Sequence, residues 1–230
     1  KIVFSAGTNH EAHGTLGVDP VGGGTQDPNL IRWSDVNDFT NWLATATNQA
    51  GSFRLPSGSR IVGGLQAPLF AVIFTDVDTW LMSYIGFPLV FGFVKVDIGT
   101  DLLAPKAAAV YQSAVYWASA NAFFMSDGQS IRILDCPVWD FFFKRLNRQQ
   151  KDKVHCAVNS WFNEVSWYFP STDGNGEIDS YVRYNIREGV WDYGMLVRTA
   201  WTDEGPLGAP IGVDGNNLLQ QHEVAFDNDG

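Results

Sequence analysis

The chain has 230 residues, of which 45% are hydrophobic, 14% aromatic and nine Trp. That composition excludes a disordered chain and supplies enough apolar material for a large core. Fifteen Lys and Arg against 25 Asp and Glu leave a net charge of −10, which argues against tight wrapping of nucleic acid, and no apolar run reaches the ~18 residues of a membrane-spanning helix.

In chain order, Ile2–Ser5 predicts a short strand, and the Gly-rich stretch Gly7–Asp27 predicts a long exposed loop. Leu30–Asp35 reads as a strand closed by a polar turn, with Phe39–Trp42 packing back on it. Ala44–Gly58 is polar and rich in small residues, and is expected to run over the surface. A rhythm then begins. Arg60–Gln66, Phe70–Thr75, Trp80–Ile85 and Val90–Val96 are four strand candidates, separated by turn signals at Ala67-Pro68, Asp76–Asp78 and Gly86–Pro88. A second set follows: Ala107–Tyr111, Val115–Ala118, Ala122–Ser126 and Ser130–Leu134, with Asp127-Gly128 as a hairpin turn. A third runs through Val154–Trp161, Val165–Phe169, Asp179–Tyr184 and Val190–Met195. A fourth starts near Arg198, is interrupted at Gly205–Pro210, and continues as Ile211–Asp214 and Asn217–Val224. The sets start about 46, 48 and 44 residues apart, the spacing of four-stranded propeller blades. Consecutive apolar residues such as Val72, Ile73 and Phe74 fit blades packed on both faces. The expected fold is therefore all-β and β-propeller-like, with antiparallel four-stranded blades in a single domain over residues 1–230.

One segment breaks the rhythm. In Pro137–Lys153, Trp139, Phe142, Phe143 and Leu146 fall at helical spacing, and Pro137 suits a first turn. This predicts a helical insertion over 137–153. Its basic residues Lys144, Arg145, Arg148, Lys151 and Lys153 are candidates for pairing with the acidic surface of a neighbouring subunit; the alternative is a solvated helix face. The low charged fraction, 17%, fits either a surface covered by neighbours or a strand-rich surface of Ser, Thr and Asn. The acidity fits either a channel wall that repels phosphate or simple solubility.

Catalytic signatures are weak. His10-Glu11-Ala12-His13 puts its histidines three apart in a Gly-rich loop, where the helical zinc motif has them four apart. Asp173–Asp179 alternates oxygen ligands as a calcium loop does, but lacks the sixth-position Gly and has Tyr184 where the closing Glu belongs. A long hairpin turn explains it, and the segment also departs from the sialidase Asp-box. No nucleophile elbow and no phosphate-binding loop is present. Asp and Glu are plentiful without any two standing out as a glycosidase pair. No enzyme, cofactor or metal is expected. Trp33, Trp42 and Trp191 lie near strand ends and are candidate surface aromatics for stacking on sugars or a partner chain; core packing between blades is the alternative. Cys136 and Cys156 sit in apolar settings that favour buried free thiols, with a disulfide as the alternative.

Ile31–Trp42, Gly51–Gln66, Phe74–Gly86, Val115–Phe124, Cys136–Phe143, Gly176–Asn185 and Val190–Gly194 together resemble the tail hub or nozzle proteins of short-tailed bacteriophages. The resemblance runs from about Leu30 to Gly230 and rests on strand-and-turn text. It implies a structural virion protein, assembled in the host cytoplasm into a ring of identical subunits. That ring would continue the DNA channel below the portal and retain or deliver the genome. Portal or adaptor proteins, a fibre or needle, and DNA that passes without specific binding are the implied partners. Both ends of the sequence read as cut from a longer chain. The alternatives are a carbohydrate- or receptor-binding propeller and a propeller glycosidase.

Overall fold

The computed structural model describes residues 27–58, 60–96, 100–204 and 208–224, and the backbone of a strand at 4–6. His10, His13 and most of the Gly-rich stretch lie outside the described residues. The chain divides into two compact units, Lys1–Asp101 and Leu102–Gly230.

The fold is all-β and blade-like, as the spacing of the strand sets predicts. Five sheets are present among the described residues, and all pair antiparallel in chain order. The first unit holds β1 (Phe4–Ala6), β2 (Leu30–Trp33) and β3 (Gly51–Arg54) in one sheet. Its second sheet is β4 (Ile61–Gln66), β5 (Phe70–Thr75), β6 (Thr79–Gly86) and β7 (Val90–Val96). In the second unit, β8 (Ala108–Tyr111), β9 (Ala114–Ala118), β10 (Phe123–Ser126) and β11 (Ile131–Leu134) form one four-stranded meander. Next come β12 (His155–Asn159), β13 (Glu164–Pro170), β14 (Ile178–Asn185) and β15 (Val190–Met195). A three-stranded sheet of β16 (Ala200–Thr202), β17 (Ile211–Val213) and β18 (Leu219–Gln221) follows. One strand departs from expectation: β3 lies inside the stretch read as surface chain. It pairs along β2, and Phe53 stacks on Phe93 with ring centroids 4.2 Å apart.

Burial follows position in the blade. Every residue of β5 is buried, as is the run Val165–Pro170 of β13, whereas the outer strand β15 is mostly exposed. A second strand is flanked by two others and covered on both faces, so apolar residues need not alternate. Within the second unit the first strands are neighbours: β8 lies beside β12 and β12 beside β16, with a parallel bridge from Lys106 to His155.

Tryptophans tie these sheets together. The Trp167 indole N–H donates to the Ala107 carbonyl at 3.1 Å, Trp191 to Asp135 at 2.8 Å, and Trp201 to Val158 at 2.7 Å. Each ring therefore adds a hydrogen bond to a neighbouring backbone while it fills the space between sheets.

The insertion differs from the single helix expected over 137–153. A short α1 (Trp139–Phe143) is followed by a 3-10 helical segment, Arg148–Lys153. Between them Leu146 bridges to Ser171, the Asn147 N–H donates to the Pro170 carbonyl, and the Thr172 N–H donates to the Arg145 carbonyl. Backbone groups that would continue the helix are instead paired with the end of β13. The apolar spacing is still used: Phe142 and Phe143 are buried and pack on Phe123 at centroid distances of 5.0 and 5.1 Å. Among the described residues no helix is long and apolar enough to cross a membrane.

Candidate functional site

Three of the five basic residues of the insertion are engaged within the chain. Lys144 pairs with Asp140 one turn earlier at 2.7 Å. Arg145 pairs with Asp173 at 3.0 Å and lies over the Phe141 ring. Lys153 reaches Glu177 at 2.7 Å and the Gly176 carbonyl at 2.8 Å. Arg148 and Lys151 are exposed. The Asp173–Gly176 stretch is a hairpin turn between β13 and β14, and Asp173 and the neighbouring Glu177 serve as partners for these cations. Asp179 accepts from the Ser171 N–H and hydroxyl, at 2.9 and 2.7 Å. Among the described residues no group of three or more His, Cys, Asp and Glu side chains is placed to hold a metal ion.

The candidate surface aromatics need correction. Trp33 is 5% exposed and Trp42 7%. Trp33 donates to the Gln49 carbonyl and packs edge-on against Phe91; Trp42 donates to the Phe39 carbonyl. Both belong to the interior because their side chains point to the covered face, which nearness to a strand end does not determine. Trp191 is half-buried, against Phe123, Trp167 and Tyr184. Cys136 and Cys156 are free, half-buried thiols. Burial pushes Cys136 up to about 11, with a further push from Asp135, so it is protonated near neutral pH.

A different cluster stands out on the sheet β12–β15. Its register puts His155, Ala157 and Asn159 opposite Tyr168, Ser166 and Glu164. These in turn face Tyr181 and Arg183 on β14, and Arg183 faces Asp192 on β15. Side chains directly opposite one another share a face. One face of this sheet is thus polar, while Val165, Trp167, Phe169 and Val182 fill the other, all fully buried. The polar face is covered by Trp201 of β16 and by His222 and Glu223 after β18, leaving a cavity of about 150 Å³.

Arg183 organises the floor. Its guanidinium donates to Glu164 at 3.1 Å and also to Asp192, and lies over the Tyr181 ring. Burial drives the Glu164 carboxyl up, the Arg183 charge opposes this, and Glu223 adds to it. For Asp192 burial also acts upward, but Arg183, the Tyr193 N–H and the Tyr181 hydroxyl outweigh it and hold the carboxyl low. Burial and the charges of Arg198 and Arg183 push His222 down to about 4, so it is neutral near pH 7. Arg198, itself buried, donates to His222 Nε2 at 2.7 Å. Gly212 makes room for that pair, since a Cβ there would lie 2.6 Å from the Arg198 side chain and 3.1 Å from His222. Asn159 donates to Glu223 at 3.0 Å. Its amide oxygen and the Arg183 Nε are buried without a hydrogen-bond partner.

The alternation Glu164, Ser166, Tyr168 and Tyr181, Arg183 is visible in the sequence as a polar face. What covers it is not, because Trp201, His222 and Glu223 arrive from a later sheet.

No protein-family model matches the chain, and no curated protein matches it. A solved structure, the extracellular domain of a putative one-component system from B. thetaiotaomicron, matches 86% of this chain at 12% identity with a TM-score of 0.42. The chain spans 27% of that protein's length, and a likeness of this order carries no argument about function.

Proposed function

We propose that the chain is a structural protein of a short bacteriophage tail, a hub or nozzle subunit whose identical copies form a ring. In that role the ring continues the DNA channel below the portal and retains or delivers the genome. Portal or adaptor proteins sit on one side and a fibre or needle on the other.

The observation that supports this reading best is where apolar side chains are exposed. On the hairpin of β6 and β7, Tyr84, Ile85, Phe87 and Leu89 all face solvent, Phe87 at 66% and Leu89 at 68%. On the outer strand β15, Val190, Tyr193 and Met195 do the same, Met195 at 72%. Scattered apolar residues are ordinary on a surface, but runs on a hairpin tip and an outer strand mark surfaces that partners cover. The net charge of −10 suits a wall along which DNA slides.

The test is to image native particles and to weigh the purified full chain. A closed ring of identical subunits, located at the tail vertex, is the expected result. A chain that stays monomeric at tens of micromolar and is missing from particles overturns the reading.

A further inference from the structure

We propose that the segment after β18 is an acid-operated latch: a neutral His222 holds it on the polar face of β12–β15, and protonation of that ring releases it. This is a conformational property of the fold and does not depend on the structural role proposed above.

The geometry requires a neutral ring. The Arg198 Nε–H donates to His222 Nε2 at 2.7 Å, and a guanidinium nitrogen only donates. Nε2 therefore offers its lone pair, and the proton of the neutral ring sits on Nδ1. A second proton has to go to Nε2. It ends that bond and sets an imidazolium against a guanidinium at hydrogen-bond distance. Arg198 has little room to turn away, being 4% exposed, and β17 passes so close at Gly212 that a Cβ there would meet both side chains.

The surroundings do not absorb the new charge. Arg183, the other cation facing the ring, opposes it as well. Of the carboxylates, Glu164 and Asp192 are engaged by Arg183 and Glu223 by the Asn159 amide. Asp214 faces Arg198 but is held by the Asn216 and Leu218 N–H groups. Burial raises the Glu164 carboxyl, so acid removes that partner of Arg183 early and leaves the face more positive. Tyr168 and Tyr181 carry no charge in acid.

The latched segment is held by few contacts. They are the His222 N–H donating to the Pro210 carbonyl at 2.7 Å, the His222 ring against Trp201 at 4.5 Å, and Glu223 on Asn159. Glu223 itself has φ 64°, a region disfavoured for a non-Gly residue, so release also relieves backbone strain. Release uncovers Trp201 and the polar face, while Val165, Trp167 and Phe169 stay packed on the other side of the sheet.

The experiment is hydrogen exchange by mass spectrometry on the full chain between pH 7 and 4, corrected for the intrinsic pH dependence of exchange, with an NMR titration of the histidine rings. His222 is pushed down to about 4 when latched, against ~6.5 for a free ring. Opening of 219–224 should therefore become about tenfold more frequent per pH unit below 6.5, while β13 keeps its protection. His222→Gln, whose amide oxygen can accept from Arg198 but takes no proton, should abolish that slope. Glu223→Gln, which keeps an acceptor for Asn159, should leave it. An unchanged slope in His222→Gln overturns the proposal, and so does the absence of any slope in the wild-type chain. Loss of protection in β13 in step with 219–224 overturns it too, since that is global unfolding, to which His155, stacked on Tyr168, contributes. If His222→Gln does not fold, the wild-type titration decides: a His222 ring that titrates at its ordinary value is not latched, and the proposal fails. Ring assembly is read separately, by mass, so neither result bears on the other.

Discussion

Asp78 shows how a single carboxylate can hold a turn. It lies between β5 and β6, almost fully buried. It accepts from the hydroxyls of Ser57 and Thr75 and from the Trp80 indole at 3.0 Å, and pairs with Lys95 at 3.1 Å. Burial alone would raise its carboxyl, but these donors outweigh burial and hold it below the usual range. The folded value therefore lies under the ~3.9 of an unfolded Asp. The stabilisation is complete above that value and is lost as pH falls through the lowered one. Asp78→Asn is expected to cost about 2 kcal/mol at pH 7, and less at pH 3, in urea titrations. His155 has the opposite sense of charge. Burial, aided by Lys106, pushes it down to about 4, below the ~6.5 of an unfolded His. Folding is then favoured with the ring neutral, and stability falls as pH drops from 6.5 towards 4, by up to about 3 kcal/mol. His155→Phe, which keeps a ring against Tyr168, should remove its share of the slope between pH 6.5 and 4 and leave that of His222, which is pushed down to about 4 as well.

At the scale of elements, sheets are joined by aromatic rings, and the sequence shows the rings better than it shows their partners. The strands from β4 to β15 are legible because turn chemistry such as Asp127-Gly128 brackets them. β3 is not, since Gly51–Arg54 is short and follows a run of Thr, Asn and Gln; its pairing with β2 decides its state. The insertion reads as one helix because apolar spacing reports a face and not the competing backbone partners at Pro170 and Thr172. The polar cavity escapes the sequence for a related reason. Its floor lies on β12–β15 and its cover comes from β16 and the segment after β18, so its two halves meet only in the folded chain. Energetically the insertion should behave as a core clip. Phe142 is fully buried among Phe123, Phe143 and Phe169, so Phe142→Ala should cost about 3–5 kcal/mol. The exposed pair Lys144–Asp140 should matter little, with Lys144→Ala within about 0.5 kcal/mol. Trp201→Phe keeps the ring but strips the Val158 carbonyl of its indole donor, and should cost about 1 kcal/mol in thermal or chemical unfolding.

For the whole molecule, the ring proposed above would have two kinds of subunit contact to draw on, and salt distinguishes them. The apolar hairpin carrying Phe87 and Leu89 would associate by burying area, and screening leaves that nearly unchanged. The insertion would associate by charge, but Lys144, Arg145 and Lys153 already have carboxylate partners. That leaves exposed Arg148 and Lys151 to face an acidic neighbour. Two exposed cations bring about 1 kcal/mol each at best, and less in salt. The hairpin is therefore expected to carry most of the association free energy, with the cations adjusting its rate and orientation. In the proposed ring, Phe87→Ser with Leu89→Ser should release monomers that still unfold cooperatively, because both side chains are exposed and their loss removes only what assembly adds to stability. Arg148→Glu with Lys151→Glu should leave rings intact at high salt and weaken them at low salt, where repulsion or lost attraction is felt. Sedimentation velocity at two ionic strengths reads both. Rings that survive the hairpin variant would exclude β6–β7 as the contact, and rings indifferent to both variants would move it to the outer strand β15, where Tyr193 and Met195 are the next residues to change.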